Sequence, residues 1–76
     1  SDVMEIDGAT SIRDLQTQYG IELPGDSGFE TLAGFLLYQI GEIPKVGDVL
    51  EQPDRRFTII EMDRNRIACV RIEKLR

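Results

Sequence analysis

The sequence predicts an α+β domain in which two short helices pack on a small, mostly antiparallel sheet, in the order β-α-α-β-β-β. Two observations carry the helices: apolar residues recur at helical spacing in two segments, and each segment stops at a glycine, Gly20 and Gly41. A third carries the sheet: from Val49 onward, β-branched and aromatic residues alternate with polar ones between short turn sequences. The 76 residues make one domain, 1–76, with a small core, because a chain of this length buries only about 60% of its unfolded surface.

Val3–Asp7 (VMEID) is short and weakly alternating, which predicts an edge strand broken by Gly8. Thr10-Ser11 supplies a helix N-cap, with Asp14 in the first turn, where a carboxylate complements the helix dipole. Ile12, Leu15 and Tyr19 fall at i, i+3 and i+7, a narrow stripe, so the first helix lies on the core by one edge and ends at Gly20. Ile21-Glu22-Leu23-Pro24 is an extended connector, since the residue before a proline is pushed out of the helical region. Gly25-Asp26-Ser27-Gly28 follows as a loop. Asp26 and Glu30 lack the dense oxygen spacing of a calcium site and read as solvated carboxylates.

The second helix is expected over approximately Glu30–Ile40. At about 100° per residue, Leu32, Ala33, Phe35, Leu36 and Ile40 share one broad side. Leu37 widens that side, and Tyr38 lies towards the opposite one near Gly34. An arc this wide means either a helix nearly surrounded by protein or one that offers a second face to a partner. Gly34, Leu37 and Tyr38 are the candidate interface in the second case; a central, well-buried helix is the simpler reading. Gly34 costs about 1 kcal/mol relative to alanine inside a helix, which a close approach by another backbone would explain.

Gly41 caps that helix and Pro44 stiffens the connector Glu42–Val46. Gly47-Asp48 turns it into the next strand without the spacing of a phosphate-binding loop. Val49–Gln52, Arg56–Asp63 and Ile67–Leu75 then form an antiparallel meander. Its turns fall at Pro53-Asp54 and Arg64-Asn65, the asparagine taking the positive φ. Phe57 and Ile59 point to one side of the middle strand, Ile60 and Met62 to the other, which makes it central and partly covered on both faces. In the last strand Ala68, Val70 and Ile72 face inward, while Ile67, Cys69, Arg71 and Glu73 face outward. Cys69 is a small apolar filler in preference to a reactive thiol.

Composition excludes several chemistries. A single cysteine permits no intrachain disulfide and, with no histidine, leaves neither the commonest general base nor the common zinc ligands. We therefore expect no catalytic residue and no metal site. A net charge of −5, and no exposed aromatic platform within the basic stretch Arg64–Arg76, argue against nucleic acid. Residues 1–44 carry eight acids and one base, whereas residues 45–76 carry six acids and eight bases. The acidic half either meets a cationic partner or complements the basic half within the domain; exposed charges contribute little individually, which favours the second. No apolar run reaches the ~20 residues that span a bilayer, and no signal peptide is visible, so direct membrane insertion is not expected. The chain opens at Ser1-Asp2 without an initiator methionine, as a domain excised from a longer protein would.

Taken together, Asp7-Gly8, the Ser-capped helix with Leu15, Leu23-Pro24, Thr31-Leu32-x-Gly34, Gly41-x-Ile43-Pro44-x-x-Gly47-Asp48, Phe57, Asp63 and Ile67…Val70-x-Ile72 form a pattern that resembles the CorC/HlyC transporter-associated domain. The resemblance covers essentially the whole chain, and TLAGFLLYQIGEIPKVGD is its most specific part. Thr31, Leu32, Gly34, Gly41, Ile43, Pro44, Gly47 and Asp48 are its structural signature. It implies a non-catalytic regulatory or interaction domain at the cytoplasmic C-terminus of a membrane protein associated with magnesium and cobalt efflux. A CBS pair and a transmembrane domain of the same protein would be its partners, at the inner membrane; a homodimer through helix Glu30–Ile40 is a separate expectation, from the wide apolar arc of that helix and not from the resemblance. The implied fold is grouped with an FAD-binding type, so FAD or an adenine nucleotide is a ligand by fold analogy alone.

Overall fold

The computed structural model describes residues 2–23 and 28–75; Pro24 of the expected connector and Gly25, Asp26 and Ser27 of the expected loop lie outside them, as do Ser1 and Arg76. The elements are β1 (Val3–Asp7), α1 (Ile12–Tyr19), α2 (Leu32–Ile40), β2 (Val49–Glu51), β3 (Arg55–Asp63) and β4 (Arg66–Lys74). The strands form one sheet in the order β1-β4-β3-β2, and every neighbouring pair is antiparallel. β1 is an edge strand and β3 is internal, as predicted. The core joins Leu15, Leu32, Phe35 and Leu36 of the helices to Ile6, Phe57, Ile59, Ile67, Val70 and Ile72 of the sheet, with Ile21 from the connector after α1.

Each helix starts where a hydroxyl satisfies an otherwise orphaned N–H. The Asp14 N–H donates to Ser11 Oγ (3.0 Å) and the Gly34 N–H to Thr31 Oγ1 (3.1 Å). α2 therefore begins at Leu32 and not at Glu30, because Thr31 is extended (φ −130°, ψ 162°) and acts as the cap. The two caps are tied together. Ser11 and Thr31 form an antiparallel bridge, flanked by Ile12 N–H to Glu30 O and Leu32 N–H to Thr10 O, both 2.9 Å. Both helices end on left-handed glycines, Gly20 (φ 67°) and Gly41 (φ 81°). α1 presents a narrower stripe than expected. Leu15 is fully buried and Ile12 half-buried, but Tyr19 is exposed.

The inward sides of β3 and β4 differ from the simple alternation. Ile59 pairs with Val70, Glu61 with Cys69 and Met62 with Ile67, so Ile60 and Ala68 are each left without an opposite residue. One extra residue in a strand reverses the side taken by everything beyond it. Ile67 is consequently buried, not outward, and Met62 packs on the core side with Phe57 and Ile59. The hairpin turn differs too: Arg64, not Asn65, takes the positive φ (59°). It stands at the first central position of a mirror-image turn, which demands that conformation.

Gly8 is the position where two backbones nearly touch. A Cβ there would lie 2.1 Å from the Ile67 carbonyl oxygen. The close approach lets the Gly8 N–H donate to Ala68 O (2.9 Å) while Gly8 O accepts from the Ala33 N–H (2.9 Å), joining β1, β4 and α2.

Candidate interaction surface

The signature residues do not converge on one site. Thr31 caps α2, Leu32 is in the core, Gly41 ends the helix and Pro44 is buried in the connector. Gly47 and Asp48 close a turn: Asp48 Oδ2 accepts from the Lys45 N–H (2.9 Å) and the Asp48 N–H donates to Lys45 O (3.0 Å). The turn docks on β3 through Gly47 N–H to Ile59 O (2.8 Å) and Ile59 N–H to Asp48 O (2.9 Å). Ile43 is 65% exposed and contributes nothing to the core. Six of these eight positions set shape or packing, Ile43 is exposed, and Gly34 lines a groove on the outer side of α2.

The three interface candidates fall on the outer side of α2. This helix is not surrounded by protein: Leu32, Phe35 and Leu36 face the core, while Leu37 is 40% and Tyr38 71% exposed. Gly34 and Leu37 line a groove of about 340 Å³, shared with Ala9, Thr31 and Ala33 and with Asn65, Arg66 and Ile67 of the β3–β4 hairpin. Its lining is mainly apolar, rimmed by Arg66. Tyr38 stands beside it, its ring 5.0 Å from that of Phe29, which in turn meets Phe35 edge-on at 5.9 Å. No backbone crosses at Gly34. Outside its own helix backbone, a Cβ there would meet only Thr31 Oγ1, at 3.4 Å, so the glycine opens the groove and does not admit a neighbouring strand.

The face of the sheet turned away from the core is polar. Arg56 pairs with Glu51 (2.8 Å) and Glu73 (3.7 Å), and Arg71 with Glu5 (3.1 Å). Only the last of these joins the acidic and basic halves of the chain, so among the described residues the expected complementarity between halves comes to one ion pair. Partial burial, then the carboxylates of Glu5, Glu61 and Asp7, push the Cys69 thiol up against the opposing pull of Arg71. That disfavours the nucleophilic thiolate and fits the filler role. Among the described residues no three His, Cys, Asp or Glu side chains cluster so as to hold a metal ion.

The family model for the transporter associated domain CorC_HlyC matches residues 1–76. The chain belongs to that family. Its sequence is 37% identical over 70 residues to the UPF0053 inner membrane protein YoaE of Escherichia coli K12, covering 91% of this chain but 14% of that protein. It is 33% identical over 71 residues to the polyamine export protein of the same organism, covering 92% of the chain and 16% of the relative. Among solved structures, the CorC_HlyC domain of a Xylella fastidiosa Temecula1 hemolysin in complex with magnesium and manganese superposes with a TM-score of 0.81. It is 28% identical, and the match covers 97% of this chain and 89% of that one. The CorC_HlyC fold is thus a small part of much longer membrane proteins, and among the described residues no helix is long and apolar enough to cross a membrane.

The sequence signal for the groove was Gly34 beside Leu37 on a helix with too wide an apolar arc. The hairpin residues Asn65, Arg66 and Ile67 carried no such signal, because the reversal at Ala68 is what brings Ile67 to the helix side.

Proposed function

We propose that this CorC_HlyC domain is a non-catalytic regulatory and interaction module of a larger membrane transport protein, working through the outer face of α2 and the adjoining groove. The observation that carries the reading is the placement of Leu37 and Tyr38. Two large apolar side chains stand exposed beside an apolar groove on the helix that holds the most specific part of the family pattern. Single exposed apolar residues are ordinary, but a contiguous apolar surface next to a groove marks an interaction site. The matched relatives supply the context, since the domain accounts for about a seventh of their length. The CBS pair and membrane-spanning part of the same protein, on the cytoplasmic side of the inner membrane, are the partners this reading expects.

Two kinds of cargo are consistent with it: magnesium or cobalt, from the family resemblance, and a polyamine, from the name of one relative. Both are cations moved by the whole protein, and the domain modulates that movement. The test is transport in vesicles by a full-length protein carrying this domain, with and without it, using radiolabelled polyamine and, separately, a divalent-ion indicator. The reading expects transport of one cargo to change at least about threefold at equal membrane abundance, and identical transport of both would overturn it.

The alternative of a flavin or adenine nucleotide ligand fits the residues poorly. Helix N-termini bind phosphates through free N–H groups. Here the Leu32, Ala33 and Gly34 N–H groups donate to Thr10 O, Gly8 O and Thr31 Oγ1, and those of Ile12 and Asp14 to Glu30 O and Ser11 Oγ. Five of the six first-turn donors that would hold a pyrophosphate are thus already engaged.

A further inference from the structure

We propose that the α2 face is self-complementary, so that two copies of this chain pair about a two-fold axis with the Tyr38 of each seated over the Gly34 of the other. This rests on the reading of that face as an interaction surface and names its partner. Gly34 supplies the hollow, for outside its chain neighbours and the backbone of its own helix only Thr31 Oγ1 lies within 4 Å of where its Cβ would be. Tyr38 supplies the projection, exposed and braced by the ring of Phe29. The two are four residues apart, so they lie one turn apart on the same side of the helix.

That spacing has a geometric consequence. In an antiparallel pair of identical helices, a contact between two positions is repeated by symmetry about an axis at their midpoint. An axis level with Leu36, on the outer side of the helix, places each Tyr38 over the opposite Gly34 in one docking. The small residue allows the helix axes to approach, and Leu37 of each copy loses its exposure near the axis. Hollow and projection therefore match within a single helix, which no unrelated partner is required to explain.

Charge agrees with the alignment. It carries Glu42, just beyond the C-terminal end of α2, to the N-terminal end of the other copy's α2. Arg66 lines the groove there and makes no ion pair among the described residues. Glu30 lies at the same end, so without Arg66 the approach would set two carboxylates together. Antiparallel helices also bring opposite dipole ends side by side.

The contact is small compared with the ~1,200 Å² or more of a stable interface, so pairing of the isolated chain is weak, with Kd on the order of 1 mM. Tethering in one larger assembly raises the effective concentration and makes such a contact count. The Xylella fastidiosa domain was solved as a chain of nearly the same extent, so pairing is measured on a unit of this length.

The experiment is sedimentation equilibrium of the chain from about 10 µM to about 2 mM. The proposal expects a monomer–dimer equilibrium, weakened at least tenfold by Tyr38→Ala and by Gly34→Leu. Gly34→Ala should weaken pairing while raising the melting temperature, because the helix gains propensity and the Cβ has room. Arg66→Glu should weaken pairing, and Glu42→Arg added to it should restore it. A chain that stays monomeric to 2 mM, a dimer indifferent to Gly34→Leu, or no recovery in the charge swap overturns the proposal. If transport depends on the domain while the chain stays monomeric, only the pairing fails; if the chain pairs while removal of the domain leaves transport unchanged, only the regulatory reading fails.

Discussion

Replacing Gly8 by alanine tests the packing of this fold at its tightest point. The new methyl carbon would sit 2.1 Å from the Ile67 carbonyl oxygen and 2.9 Å from its carbon, against the 3 Å or more that real contacts keep. Backbone cannot swing aside as a side chain can, so β1 must move away from β4 by roughly 1 Å, an overpacking cost of about 1–3 kcal/mol. The same movement strains two hydrogen bonds, Gly8 N–H to Ala68 O and Ala33 N–H to Gly8 O. Each contributes about 1 kcal/mol, and more if a buried donor is left unpaired. The sum is about 3–5 kcal/mol, against a total stability of about 4–11 kcal/mol for a chain of this size. At about 4–8 °C per kcal/mol, the Gly8→Ala chain should melt at least about 12 °C below the parent, or be unfolded at room temperature. Thermal and urea unfolding followed by circular dichroism would measure this. A Gly8→Ala chain within about 0.5 kcal/mol of the parent would refute the reasoning, since no flexible side chain is present to absorb the methyl group.

Other expectations follow from the same structure. Thr31→Ala removes the hydroxyl that accepts from Gly34 and should cost about 1 kcal/mol in urea unfolding, whereas Thr31→Ser should cost little. Arg64→Gly relieves a side chain held at φ 59° and should stabilise the chain by about 1 kcal/mol. Because the folded structure raises the Cys69 pKa, the folded state holds the thiol proton more tightly than the unfolded state. Its contribution is then full below the ordinary thiol pKa of about 8.5 and is lost as pH rises through the raised value. The parent should therefore lose more stability between pH 8 and 10 than Cys69→Ala, and its thiol should react with iodoacetamide more slowly folded than in urea.

Much of this architecture was legible because it is written in backbone-determining residues. Ser11, Gly20 and Gly41 cap the helices as their chemistry requires, and the strand order of the meander follows from its short turns. The misassignments share a cause. Ile60 and Ala68 are irregularities without a glycine or proline to announce them, so the alternation was carried one residue too far and put Ile67 and Met62 on the wrong side. Gly8 and Gly34 exchanged roles for a related reason. A close approach depends on what lies across the sheet, which for Gly8 is the carbonyl of a residue 59 positions away in sequence, Ile67. At the candidate surface, Gly34, Leu37 and Tyr38 could be read from the helical wheel. The hairpin wall of the groove could not, since it is made by tertiary pairing.

The most direct test of the account replaces Tyr38 by alanine in a full-length protein that carries this domain and measures cation transport in vesicles at matched membrane abundance. Tyr38 contributes little to the core, so the isolated Tyr38→Ala chain should unfold within about 1 kcal/mol of the parent. A change in transport of at least about threefold, with folding intact, is what the account predicts. Unchanged transport in that variant, where removal of the whole domain does alter it, would contradict the assignment of the α2 face as the working surface.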